Sequence, residues 1–250
     1  MPFREYVDAL ADFEEFDRRY FEPDALHSQQ LCAFILTLAL IYDDLKGLAM
    51  AGVFLGEVTP PPEGGRTAAR GEVAALQSQA LRMIGGLIHE LFDLVNDNAT
   101  LLKEQDFNRI LRRCSDEAEL AWKRIVSASE RQGTKLPDDP VAKALYFVRN
   151  KISFHYDPKR LLGGFRTAFS RTREFGDPAL SRGDNLQQTR FFFADAAAQA
   201  CFIQHAGGSD SKALFAWDSP MLTAVHQALF GLVTSFLTYR AEGNPGVDED

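Results

Sequence analysis

The stretch Leu145–Pro158 reads LYFVRNKISFHYDP and gathers the side chains best suited to chemistry in this chain of 250 residues. An imidazole with an ordinary pKa of about 6.5 takes or gives a proton near neutral pH, which is what general acid–base work requires. A guanidinium stays charged and offers an anion a planar fork of donors. His155 supplies the first group and Arg149, six residues earlier, the second. Asn150 stands beside the arginine, where its amide can orient either group or bond the same anion. Lys151, Lys159 and Arg160 follow closely and suit flanking phosphates. The local charge supports this. Residues 149–173 hold seven Lys/Arg against one acid, a net +6, whereas the other 20 Lys/Arg and 34 acids sum to −14. A basic stripe on an acidic body fits a local phosphate site; a merely solvated helix face fits it equally well.

Arg149, the polar Asn150, and then His155 resemble the R-polar-x-x-x-x-H signature of the HEPN domain family. The form RNKISFHY, with an aromatic residue before the histidine, is similar to variants in bacterial HEPN proteins. The resemblance implies a metal-independent endoribonuclease, usually a homodimer and often a toxin or phage-defence effector with a neutralising antitoxin as partner. Arg149 and His155 of both protomers would meet in one cleft. The resemblance also allows an inactive member that only binds. RNA is cut when its own 2′-OH attacks the adjacent phosphorus, so one proton must leave the hydroxyl and another must reach the leaving oxygen. His155 is suited to either transfer, and Arg149 to the charge on the phosphoryl oxygens. No cofactor or metal is expected. The three cysteines (Cys32, Cys114, Cys201) and five histidines are scattered, without a zinc-like spacing.

At 100° per residue, Arg149 and His155 lie about 120° apart around a helix and about 9 Å apart along it. His155 shares the apolar stripe of Val141, Leu145, Val148 and Ile152, and Arg149 is to its side. A composite site across a two-fold axis reconciles the two. The alternative is a core histidine and a surface arginine. Arg82 and His89 form a second Arg-x6-His pair, on one face opposite the stripe of Ile84, Ile88, Leu91 and Val95; Arg82 is followed by Met83 rather than a polar residue, and its neighbours are not basic. Asp44 borders the buried stripe of its helix, where a carboxylate needs a partner, and Arg149 is one candidate. Tyr156 is a further candidate support. Tyr146, Phe147, Phe154, Tyr156, Phe165 and Phe169 interleave with the basic residues. At helical spacing such rings are expected in the core; base stacking is the other reading.

The elements that must position these groups are all helical, because apolar residues recur at three- and four-residue steps throughout. Helices are predicted over 4–21, 25–55, 71–102, 104–132 and 139–157. Three more are predicted over 159–175 (broken at Gly163-Gly164), 187–205 and 220–240. Asp139-Pro140 is a helix start, and Pro158 a stop. The expected fold is all-α, an up-and-down bundle of long helices forming one domain over 1–240. A Pro/Gly-rich loop over 56–70 and a loose acidic tail over 241–250 complete it. The N-terminus is charged and lacks a secretory apolar run, and the longest apolar stretch, Leu31–Tyr42, is too short to span a bilayer. A cytoplasmic protein without membrane contact is expected. The rival function is a non-catalytic helical interaction protein such as an antitoxin or adaptor. A nucleotide-binding bundle has little support, since no Gly-rich phosphate loop follows a strand.

Overall fold

The computed structural model describes residues 3–10, 15–22, 28–58, 67–130, 146–147, 157–169, 181–185, 188–206 and 211–242. Eight α-helices occur among them: α1 (Phe3–Asp8), α2 (Gln29–Glu57), α3 (Ala68–Asp97), α4 (Gln105–Leu111), α5 (Asp116–Ser129), α6 (Pro158–Phe169), α7 (Phe192–Ala206) and α8 (Ser211–Glu242). Short 3-10 turns cover Arg18–Phe21 and Leu101–Lys103. No strand occurs among the described residues, only an isolated bridge between Ser181 and Arg190. The fold is all-α, a bundle with long helices, as the period of the apolar residues predicts.

Local chemistry moves several predicted boundaries. The stretch 4–21 is not one helix. Residues 15–17 are non-helical, and the Asp17 carboxylate accepts the Arg19 backbone N–H at 2.9 Å to start a 3-10 turn. The stretch 104–132 divides at 112–115, because the Ser115 hydroxyl accepts the Ala118 N–H and caps α5. Asp116, Glu117 and Glu119 fill that first turn, where the helix dipole favours negative charge. The break predicted at Pro158 coincides with the non-helical Asp157, and a second predicted break is absent. Pro158 opens α6 behind Asp157, whose carboxylate accepts the N–H groups of Lys159 (3.1 Å) and Arg160 (3.3 Å). Gly163-Gly164 lies inside α6 without interrupting it. Gly164 is there for contact: a Cβ would run into the Ala197 carbonyl oxygen and lie 3.0 Å from the Cys201 backbone nitrogen. The predicted helix over 139–157 falls outside the described residues except at Tyr146 and Phe147, which are helical, and at Asp157.

The chain forms two compact units. The first comprises Met1–Ala9, Gly47–His89 and Pro140–Asp218, and the second Leu10–Lys46, Glu90–Asp139 and Ser219–Asp250. The second unit has a closely packed apolar centre. Phe34, Phe107 and Trp122 form an aromatic triad with ring centroids 5.7–6.3 Å apart. Asn96 ties the end of α3 to the end of α5 by donating to the Ser129 carbonyl at 2.7 Å. The buried Arg240 donates to the carbonyls of Arg19 (3.0 Å) and Glu22 (2.9 Å), holding the 3-10 turn against α8. The stretch Met221–Glu242 is long and apolar enough to cross a bilayer; its Val225, Leu229, Leu232 and Phe236 are fully buried.

In the first unit, Phe3 and Tyr6 pack edge-on against Phe54, at 5.0 and 5.6 Å between centroids. Phe192 covers Gly71, where an added Cβ would meet the ring at 2.9 Å. A small apolar cluster of Phe147, Ala198, Cys201 and Phe202, backed by Leu161 and Ile203, holds α6 and α7 together. Gln204 on α7 reinforces it by donating to the Thr167 hydroxyl on α6 at 2.6 Å.

Candidate functional site

Of the residues singled out by chemistry, Arg149, Asn150, Lys151, His155 and Tyr156 lie outside the described residues. The residues on either side of them are described. Upstream, Phe147 is buried in the α6–α7 cluster, as its helical spacing predicts. Tyr146 lies over His89 with ring centroids 5.4 Å apart. Downstream, Asp157 caps α6, and its carboxylate lies 3.6 Å from Arg160 Nε. The Arg160 guanidinium in turn sits 5.0 Å from the centre of the Phe147 ring. This cation–π contact brings the residues just before and just after the motif next to each other.

Arg160 is therefore engaged by Phe147 and Asp157, while Lys159 is exposed on the first turn of α6. The Cys201 thiol beneath this corner is pushed above its ordinary pKa by burial. The Arg160 charge opposes that shift without cancelling it, so Cys201 stays protonated at neutral pH and is a core side chain rather than a nucleophile.

Asp44 is exposed on α2. It borders the buried Ile41 and Leu45, but a solvated carboxylate does not require a partner, which corrects that part of the expectation; Arg149, its candidate partner, lies outside the described residues. The second Arg-x6-His pair is corrected too. His89 is only 3% exposed, and the Arg82 side chain is largely buried, donating to Ser78 Oγ at 3.1 Å. Helix α3 is covered nearly all round at this level, so the face opposite its apolar stripe is not a free surface. Phe165, expected in the core, is instead 39% exposed.

Sequence reasoning missed a polar network in the first unit. Arg190 donates to Glu72 at 2.8 Å and to Asp195 at 3.0 Å, and Arg82 lies 3.8 Å from the same aspartate. Burial alone would lower the Arg190 pKa; the hydrogen bonds and charge of Asp195 and Glu72 outweigh it and raise the pKa. Two carboxylates and two guanidinium groups thus satisfy one another, which is the signature of a structural clasp. Its one sequence signal is Asp195, the single acid on the apolar helix α7.

No group of three or more His, Cys, Asp or Glu among the described residues is arranged to hold a metal ion. The second unit carries an open groove of about 870 Å³ lined by Arg113, Ser115, Thr234 and Glu242, but Arg113 is already paired with Glu242 and stacked on Tyr239. Comparison of the chain with family models, with curated proteins and with solved structures finds no match in any of the three.

Proposed function

We propose that this chain is a HEPN-like, metal-independent endoribonuclease acting in the cytoplasm as a toxin or phage-defence effector. The observation that carries the reading is Arg149-Asn150 followed by His155 within a locally basic stretch of an all-helical chain. The anchored neighbours support it. Phe147 is anchored two residues before Arg149 in sequence, and Asp157 two residues after His155.

In this reading the RNA 2′-oxygen attacks phosphorus, the P–O5′ bond breaks, and the products are a 2′,3′-cyclic phosphate and a 5′-hydroxyl. His155 carries one of the two protons and Arg149 stabilises the phosphoryl oxygens. Asn150 orients them, and Lys151 and Lys159 hold neighbouring phosphates. A homodimer supplies the complementary histidine and arginine, and an antitoxin silences the site.

The test is incubation of the purified chain with single-stranded RNA in EDTA. The wild type is expected to leave cyclic-phosphate ends, and His155→Ala to lose roughly 10²- to 10⁴-fold in rate while keeping its helical circular dichroism. Undiminished cutting by His155→Ala overturns the reading.

A non-catalytic interaction protein is the second reading, favoured by the exposed Leu36 and Leu40 on α2 and Leu120 on α5. It predicts no cleavage and no growth defect on expression in a bacterial host.

A further inference from the structure

We infer that the outward face of α6 is a platform for single-stranded RNA, with Phe165 stacking a base and Lys159 and Arg166 holding phosphates. The choice of RNA over DNA rests on the nuclease reading; the surface itself does not.

At 100° per residue, Lys159, Phe165, Arg166 and Phe169 all fall within about 60° of Leu162 and share one side of the helix. That side faces solvent: Lys159 and Arg166 are exposed, Leu162 is 50% exposed and Phe165 39%. The other side is committed inward, where Gly164 meets α7 and Leu161 packs on the Phe147 cluster. Phe165 and Phe169 stand with ring centroids 4.7 Å apart and planes tilted by 41°. Two phenylalanines gain nothing from water on this helix, yet Phe165 is left in it, beside two cations that lie two turns apart, about 10.5 Å along the axis.

Charge complementarity selects the occupant. Helix α6 carries three Lys/Arg and no acid on a chain of net charge −8. The ligand that fits is a polyanion that also presents flat apolar faces. A single strand does so, because its bases are free to stack, whereas a duplex hides them. In sequence, helix α6 begins directly behind Asp157, two residues after His155.

The experiment is fluorescence anisotropy of the full chain with a labelled 2′-O-methyl oligonucleotide, which cannot be cut because the attacking oxygen is blocked. Phe165→Ala is expected to weaken binding roughly tenfold. Lys159→Gln with Arg166→Gln should weaken it and flatten the log–log salt slope by about 1.4, two phosphate contacts on a single strand. Lys123→Gln on α5 is the control and should bind as the wild type does. Phe165→Trp should retain binding and show indole quenching by the oligonucleotide, which keeps the question open to refutation even if Phe165→Ala folds poorly.

Four results each overturn the platform: wild-type affinity in the α6 variants, no binding by the wild type, an indole in the Phe165→Trp variant that the oligonucleotide leaves unquenched, or capture by anionic vesicles in place of the oligonucleotide. Cutting with α6-independent binding removes the platform alone. Binding that depends on α6 without any cutting removes the nuclease reading alone.

Discussion

The two units are held together by different physics. Among the described residues, ten of the eleven largest fully buried side chains belong to the second unit; Ile88 is the exception. That unit is closed by apolar packing around Phe34, Phe107 and Trp122. The described part of the first unit joins smaller apolar clusters with specific ties: the Arg190 clasp, the Arg160–Phe147 contact, and a helix pair that touches at a glycine. Phe147 and Asp157, the described residues that flank the motif, belong to this first unit. Apolar burial is non-directional and gives bulk stability, whereas directional ties hold a few groups at fixed positions. A site is better served by the second kind of bond, in a chain stabilised by the first.

Four variants, in three experiments, test this difference. The largest effect is expected from Trp122→Ala, which removes the ring at the centre of the second unit and should cost about 3–5 kcal/mol. At this chain length that lowers the melting temperature by roughly 10 °C, read by thermal circular dichroism. A loss below about 1 kcal/mol would show that the triad is not where the unit's stability lies.

Next is a matched pair in the first unit. Gly164→Ala places a methyl against the Ala197 carbonyl and Cys201 and should destabilise by about 1–3 kcal/mol. Gly163→Ala meets nothing within 4 Å and should stabilise by up to about 1 kcal/mol through helix propensity. Equal effects from the two would mean that the α6–α7 contact is looser than described.

The smallest effect concerns pH. Burial lowers the His226 pKa below its usual 6.5, and its Nε2 lies buried without a hydrogen-bond partner among the described residues. The folded chain therefore prefers the neutral ring. As pH falls below about 6.5 the unfolded chain gains a proton first, so stability is full above that value and is lost as pH falls through the folded pKa. The slope is at most about 1.4 kcal/mol per pH unit. Asp17 and Glu117, also shifted downward, act only at lower pH, below their ordinary 3.8 and 4.5. Urea melts of wild type and His226→Phe at pH 5 and 7 should differ in slope; identical pH dependence would refute the assignment.

Much of the fold was legible because its signals are local. A 3.6-residue period needs only neighbouring residues, and it identified α2, the central span of α3 and the apolar α7. A local signal also carries the junction at Asp157-Pro158, where Asp157 is non-helical and its carboxylate caps the helix that Pro158 opens. At Ser115 the cap was equally local and was passed over in favour of a longer helix.

Composition and order alone fix the helical class, the local surplus of positive charge over 149–173, and the placement of His155 six residues after Arg149. Only the tertiary structure decided which sides of the helices are covered. It buried His89, left Asp44 and Phe165 in solvent, made Gly164 a contact, and joined Arg190 to an acid 118 positions away. The reason is physical: periodicity gives each residue's angle around its own axis, but whether that angle meets water, a carbonyl or a carboxylate depends on a partner from a distant part of the chain.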